Sequence, residues 1–139
     1  MPSSTEEALI QLLEAQLDAF ADLDVDRLLA TFAAEGAVLQ DMADPENPFE
    51  GLEEIRGFLQ GYFGDIEDAS VDIISMATNA DTVVAELEMK FTWVAVPFSP
   101  EDGRDVLLRY VVFDTVRDGK IIRERFYWNP AELDGQLSR

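Results

Sequence analysis

Apolar positions recur at helical spacing through the first third of this 139-residue chain and alternate with polar ones through the rest. Ala8, Leu9, Leu12, Leu13, Gln16, Leu17 and Phe20 fall on one stripe, which predicts an amphipathic helix from Thr5 to Ala21. Ser4 or Thr5 can cap it, with Glu6 and Glu7 favourable in the first turn. A second helix is predicted over Val25–Ala34, capped by Asp24, buried through Leu28, Leu29 and Phe32, and ended by Gly36. A short strand follows over Ala37–Asp41, then a Pro-containing loop over Asp44–Gly51. Leu52–Phe63 reads as a third helix through Ile55, Phe58, Leu59 and Tyr62.

Beyond Phe63 the period changes to two. Val71–Ala77 predicts a strand, turned by Asn79-Ala80-Asp81. Thr82–Val96 sets Val83, Ala85, Leu87, Met89, Phe91 and Trp93 on one face and Val84, Glu86, Glu88 and Lys90 on the other. Asp105–Val116 and Lys120–Trp128 form a hairpin around an Asp-Gly turn, and a helix-start signal follows the terminal aromatic pair. The expected architecture is α+β: one domain over residues 1–139, three amino-terminal helices packed on a curved, mainly antiparallel sheet. Both sides of Asp105–Val116 read as apolar apart from Arg109, which leaves the facing of Tyr110 open and calls for a cover on the outer face.

Composition removes chemistries more than it adds them. There is no cysteine, hence no disulfide framework and no thiolate site. There is no histidine, the commonest general base and metal ligand, so acid–base work falls to carboxylates, tyrosine, lysine or arginine. The formal net charge of −19 argues against a nucleic-acid partner. No apolar run is long enough to span a membrane and the amino terminus lacks a secretory pattern, so the expected location is cytoplasmic. Asp41, Asp44 and Glu46 cluster without calcium-loop spacing and read as a solvated loop, and no metal site is expected.

The element order, with the segments DRLLATFAAEGAV, FEGLEEIRGFL and DGKIIRERFYW, resembles the nuclear transport factor 2-like superfamily. Within it the chain is most similar to the SnoaL-like polyketide cyclase and ketosteroid isomerase branch. The resemblance implies a cone-shaped roll with an apolar cavity and a homodimer formed through the outer face of the sheet. Carried over residue by residue, the isomerase base falls on Gln40, its helix tyrosine near Gln16 and its second aspartate near Leu108 or Arg109; none is reproduced. Asn129 stands where cyclases often carry an aspartate. Arg109 is a candidate for the arginine of the epoxide-hydrolase branch, without a matching aspartate pair.

Strand parity puts Ile122, Glu124, Phe126 and Trp128 on one face, which the resemblance implies is the cavity face. Glu124 is then an acid among apolar groups, either a proton-transfer residue or half of a buried ion pair with Arg109. Asp41 is the second catalytic candidate, and Arg109 is placed with it as a group that polarises a carbonyl. Gln40 and Asn129 either hydrogen-bond a ligand or satisfy the backbone. Trp128, Phe126, Tyr62, Trp93 and Tyr110 are expected to line the pocket or fill the core. Arg123, Arg125 and Tyr127 are expected on the other face, and Glu86 and Glu88 on the outward face of an earlier strand, forming either cross-strand or intersubunit ion pairs. The expected function is cofactor-free isomerisation, cyclisation or dehydration of an apolar oxygenated small molecule, with a non-catalytic binding or accessory protein as the alternative.

Overall fold

The computed structural model describes residues 4–138; the Ser4 side chain, one of the two candidate caps, lies outside the described residues. Helix α1 spans Ser4–Ala21, α2 Val25–Leu29 and α3 Leu52–Gly64. Strand β1 is Val38–Asp41, β2 Phe49–Glu50, β3 Ile66–Asn79, β4 Thr82–Trp93, β5 Arg104–Arg117 and β6 Lys120–Tyr127. Helix α4, Pro130–Leu137, follows them. One sheet carries the order β2-β1-β6-β5-β4-β3, antiparallel except for the β1–β6 pair. Leu9, Leu13 and Leu17 of α1, Ile55 and Leu59 of α3 and the inner residues of β4, β5 and β6 form one buried cluster.

Three departures from the sequence reading have physical causes. Helix α2 stops at Leu29 rather than Ala34, because the next turn is recruited to the sheet. The Ile121 N–H donates to Thr31 O, the Ala33 N–H donates to Ile121 O, and Phe32 bridges Ile121. Strand β3 is twice its expected length, and bulges at Glu67/Ser70 and Ile73/Ser75 erase the alternation that would have revealed it. Its Ile73 and Ile74 are both exposed, as a bulge permits. The helix-start signal after the aromatic pair does become a fourth helix, with Asn129 as cap and Pro130 in the first turn.

The β5–β6 hairpin turns at Asp118 and Gly119, both at positive φ, the geometry that favours Asp-Gly. Two residues later the register slips: Val116 pairs with Ile121, but Thr115 pairs with Arg123. Ile122 is the extra residue. The slip turns Ile121 inward, fully buried, and corrects the expected inward placement of Ile122. It also brings Asp114 directly opposite Glu124.

Beyond Tyr127 strand β6 ends, while β5 still offers backbone groups on that edge. Gln136 of α4 covers them. Its Oε1 accepts from the Leu107 N–H at 2.8 Å and its Nε2 donates to the Leu107 carbonyl at 2.8 Å. An amide side chain thus substitutes for a strand residue and anchors α4, which buries no residue of its own.

Candidate functional site

The space between the sheet and the helices divides into two chambers. The inner one encloses about 70 Å³, lined by Gln16 and Leu17 of α1, Phe32, Leu39 of β1, Leu87 of β4 and Glu124 of β6. The outer one is about 400 Å³, a size suited to a small organic molecule, and includes Asp41, Asp65, Trp93, Leu108, Trp128 and Leu133. Phe58, Tyr62, Tyr110 and Phe126 line both and form the partition. Tyr110 and Trp128 stack with ring centroids 5.6 Å apart and planes 13° apart. Phe58 and Tyr62 meet edge-on at 6.0 Å.

Polar groups are few and specifically placed. The Gln16 Nε2 donates to Glu124 Oε1 at 2.6 Å. Glu124 is 8% exposed and Asp114, its cross-strand neighbour, is wholly buried. Opposed residues on one face of an antiparallel pair hold their Cβ atoms about 5 Å apart. Burial pushes the Asp114 carboxyl well above the ordinary aspartate range, and the facing Glu124 charge adds to it. Burial also raises Glu124, offset by hydrogen bonding to Asp114 and Gln16. Both Asp114 oxygens lack any donor among the described residues. Two ionised carboxylates cannot donate to one another, so a hydrogen bond between this pair requires a proton on one of them.

In the outer chamber the Trp128 Nε1 donates to Asp41 Oδ1 at 2.8 Å, and the Ala43 N–H donates to the same oxygen at 2.9 Å. Among the described residues the Tyr62 hydroxyl and the Trp93 Nε1 are buried without a hydrogen-bond partner. Burial raises Tyr62 to about 12, and raises Tyr110 further with help from the neighbouring Tyr62 and Asp41. The two tyrosines influence one another's ionisation although their hydroxyls do not meet hydrogen-bond geometry. Both are neutral donors at neutral pH.

Of the residues singled out from the sequence, Glu124, Phe126, Tyr62 and Tyr110 line the inner chamber. Asp41, Trp128 and Trp93 line the outer one, which Phe126, Tyr62 and Tyr110 share. Tyr110, whose facing was open, points inward.

Three residues lie elsewhere. Gln40 is on the outer face, where it accepts from Arg123 at 2.8 Å and donates to the Pro45 carbonyl at 2.8 Å. The parallel register explains this: Leu39 pairs with Glu124 and Asp41 with Phe126, so the inward positions are odd-numbered. Asp41, the next residue, faces inward. Asn129 caps α4, accepting from the Ala131 N–H at 3.0 Å, and lies in neither chamber. Arg109 is 64% exposed on the outer face, 3.8 Å from Glu88 and 4.0 Å from Glu132. It neither polarises a carbonyl in the cavity nor pairs with Glu124.

Asp114 escaped the sequence reading. Its signal was a lone acid in the apolar run Leu107–Val116, in phase with Leu108, Tyr110 and Val112. Regular pairing counted back from the Asp-Gly turn sets it against Arg123, which suggests a surface ion pair; the bulge at Ile122 sets it against Glu124 instead. Gln16 was visible on the helix stripe but only as the place of an absent tyrosine. Among the described residues no cluster of three or more carboxylates is placed to hold a metal, and no helix is long and apolar enough to cross a membrane.

Comparison with known proteins places this architecture. The SnoaL-like domain model matches residues 13–124, from the first helix to the cavity acid. No curated protein matches the sequence. Among solved structures, a candidate polyketide cyclase from Xanthomonas campestris pv. campestris superimposes with a TM-score of 0.83 at 24% identity. The match covers 96% of this chain and 99% of that one. A hypothetical protein with a ketosteroid isomerase-like fold from Catenulispora acidiphila, crystallised with trimethylamine, gives 0.78 at 19% identity over 92% of each chain. TerC, co-crystallised with polyporic acid, gives 0.76 at 17% identity over 95% of this chain and 99% of that one. The fold is that of the nuclear transport factor 2-like proteins. The chain belongs to the SnoaL-like domain family.

Proposed function

We propose that this protein binds an apolar, oxygenated small molecule in the two-chamber cavity and moves a proton on it without a cofactor, as in isomerisation, cyclisation or dehydration. The observation that carries this reading is Glu124: an acid facing an apolar chamber, hydrogen-bonded to an amide and set opposite a second carboxyl, with no cation beside it among the described residues. An acid kept only for structure is ordinarily paired with a basic group. A carboxylate in this setting suits removal of a proton from carbon next to a carbonyl and its return elsewhere on the same molecule. That step conserves atoms and needs no co-reactant.

The lining describes the ligand. Seven aromatic side chains and no lysine or arginine surround the outer chamber, so a flat, uncharged body is favoured and a carboxylate ligand is penalised by Asp41, Asp65 and Glu124. The unpartnered Tyr62 hydroxyl and Trp93 N–H favour a ligand that brings an acceptor oxygen. Asp41, held by Trp128, is the second acid within reach of such a ligand.

Trp93 and Trp128 are the two tryptophans of the chain and both line the outer chamber, so intrinsic fluorescence reports occupancy directly. Titration with 2-acetonaphthone is expected to quench it saturably, and 2-naphthoate to do so at least tenfold more weakly. No saturable response to either would overturn the cavity reading. The alternative of a binder without catalysis is favoured by the absent histidine. Saturable binding without proton exchange on the ketone would establish it.

The outer face of the sheet fits a second copy of the chain. Arg125 lies over the Phe113 ring at 5.1 Å and Tyr127 meets Phe113 edge-on at 5.9 Å, with Tyr127 left 38% exposed. Acidic Glu86 and Glu88 on β4 and basic Arg109 and Arg125 on β5 and β6 give a two-fold pairing opposite charges to join. Sedimentation of the wild type as a dimer, and of Tyr127→Glu as a monomer, is the expected result. A monomeric wild type at micromolar concentration would exclude it.

A further inference from the structure

Asp114 lines neither chamber, so a ligand does not reach it. It nevertheless sets a second, fully buried carboxyl against Glu124. Between them the two residues present four oxygens, and the described residues supply one side-chain donor, Gln16 Nε2 to Glu124 Oε1. Among the described residues no other titratable group faces the pair. On β4 the residue opposite Asp114 is Val83, on β1 the residue beside Glu124 is Leu39, and α1 contributes Gln16 and Leu17. Arg123 and Arg125 flank Glu124 in sequence but alternate to the outer face, where Gln40 and the Phe113 ring hold them.

Two charged carboxylates buried at this spacing without a cation among the described residues repel strongly and leave acceptors unmatched. One proton resolves both problems, because it removes a charge and turns an acceptor into a donor. Its position follows from the donor count. Gln16 serves Glu124 alone, so the negative charge is better supported there and the proton belongs on the neighbour.

We infer that Asp114 is a positioning residue that holds the single proton of the Asp114–Glu124 pair, and so keeps Glu124 charged and aimed into the inner chamber. This deepens the acid–base reading above and rests on it only for the use made of the charge; the place of the proton stands independently. On that reading Glu124 is the base. It takes one proton from the ligand, leaving both carboxyls neutral, and gives one back, restoring the shared state. No third group is consumed.

The test is infrared spectroscopy of the unaltered protein at neutral pH. Asp114 and Glu124 are the two buried acids among the described residues, so a protonated-carboxyl stretch at that pH has few possible sources. We expect such a band, shifted to lower frequency by carbon-13 in the aspartate side-chain carboxyls and unmoved by the same label in glutamate. Asp114→Asn should remove it, and because labelling needs no substitution, the test survives if that variant fails to fold. Absence of the band, or a shift with the glutamate label instead, would overturn the proposal. Failure of 2-acetonaphthone to bind while the band persists would sink the ligand reading and leave the proton assignment intact; binding without the band would do the reverse.

Discussion

Glu124 and Asp41 are both acids on strands whose side chains face the cavity, yet the protein surrounds them differently. Asp41 sits in the outer chamber and receives two donors on one oxygen, the Trp128 indole and the Ala43 N–H. Those fixed hydrogen bonds hold the carboxylate in place, and it orients Trp128 against Tyr110. Glu124 sits deeper, receives one amide, and faces a second acid. Identical chemistry therefore acquires two roles: one carboxylate is tied down as part of a wall, and the other is left with its proton affinity raised by burial. What distinguishes them is the number of donors each meets and how much water each loses.

The largest way to break this contrast is to strip the inner acid of its one donor. Gln16→Leu leaves Glu124 bonded only through the shared proton, and we expect a loss of about 1–3 kcal/mol in chemical denaturation. Leu is close in volume, so packing contributes little. An unchanged midpoint would mean that the Gln16–Glu124 bond contributes nothing.

Acidity offers a second test, with a defined sign. The Asp114 carboxyl is raised in the folded chain, so over this interval the native state binds more protons than the unfolded one. Its contribution to stability is fully present below the ordinary carboxylate value of about 4 and is lost as pH rises towards the raised folded value. The slope is at most about 1.4 kcal/mol per pH unit for one proton. The wild-type curve is compared with Asp114→Asn, which should be flatter above about pH 4. Parallel curves would show that Asp114 titrates alike in both states.

Smaller effects are expected further out. Gln136→Ala frees the Leu107 backbone edge and loosens α4 over the outer chamber, at a cost of about 1 kcal/mol. Faster amide exchange at Leu107 is the accompanying signature; unchanged exchange there would argue against the clamp. Arg109→Ala should change stability by less than about 0.5 kcal/mol, because its two ion pairs are long and exposed. It should leave naphthyl ketone binding unaltered. A tenfold loss of affinity would return Arg109 to the cavity.

The same contrast marks where the sequence was legible. Helices α1 and α3 and strands β4 and β6 were readable because their apolar period matched the geometry of the element. The cavity lining was readable as a set of aromatic residues, because rings of this size on inward positions have few other uses. Positions that depend on pairing between strands were not. One bulge at Ile122 decided that Asp114 meets Glu124 rather than Arg123, and the parallel register on β1 turned Asp41 inward and Gln40 outward. In a strand, one residue of slip moves every side chain to the other face. Arg109 was misplaced for a related reason, since with Tyr110 unassigned nothing in an apolar run fixed which side it takes.

The account turns on Glu124 acting on a bound ligand as a base. The measurement that tests it most directly is deuterium uptake at the methyl carbon of 2-acetonaphthone in heavy water, followed by proton NMR with wild type and Glu124→Gln. The account predicts exchange above the buffer rate with wild type, a loss of roughly a hundredfold or more in the variant, and retained ketone binding and near-unchanged melting temperature. Saturable binding of the ketone with no exchange above buffer by the wild type would contradict it.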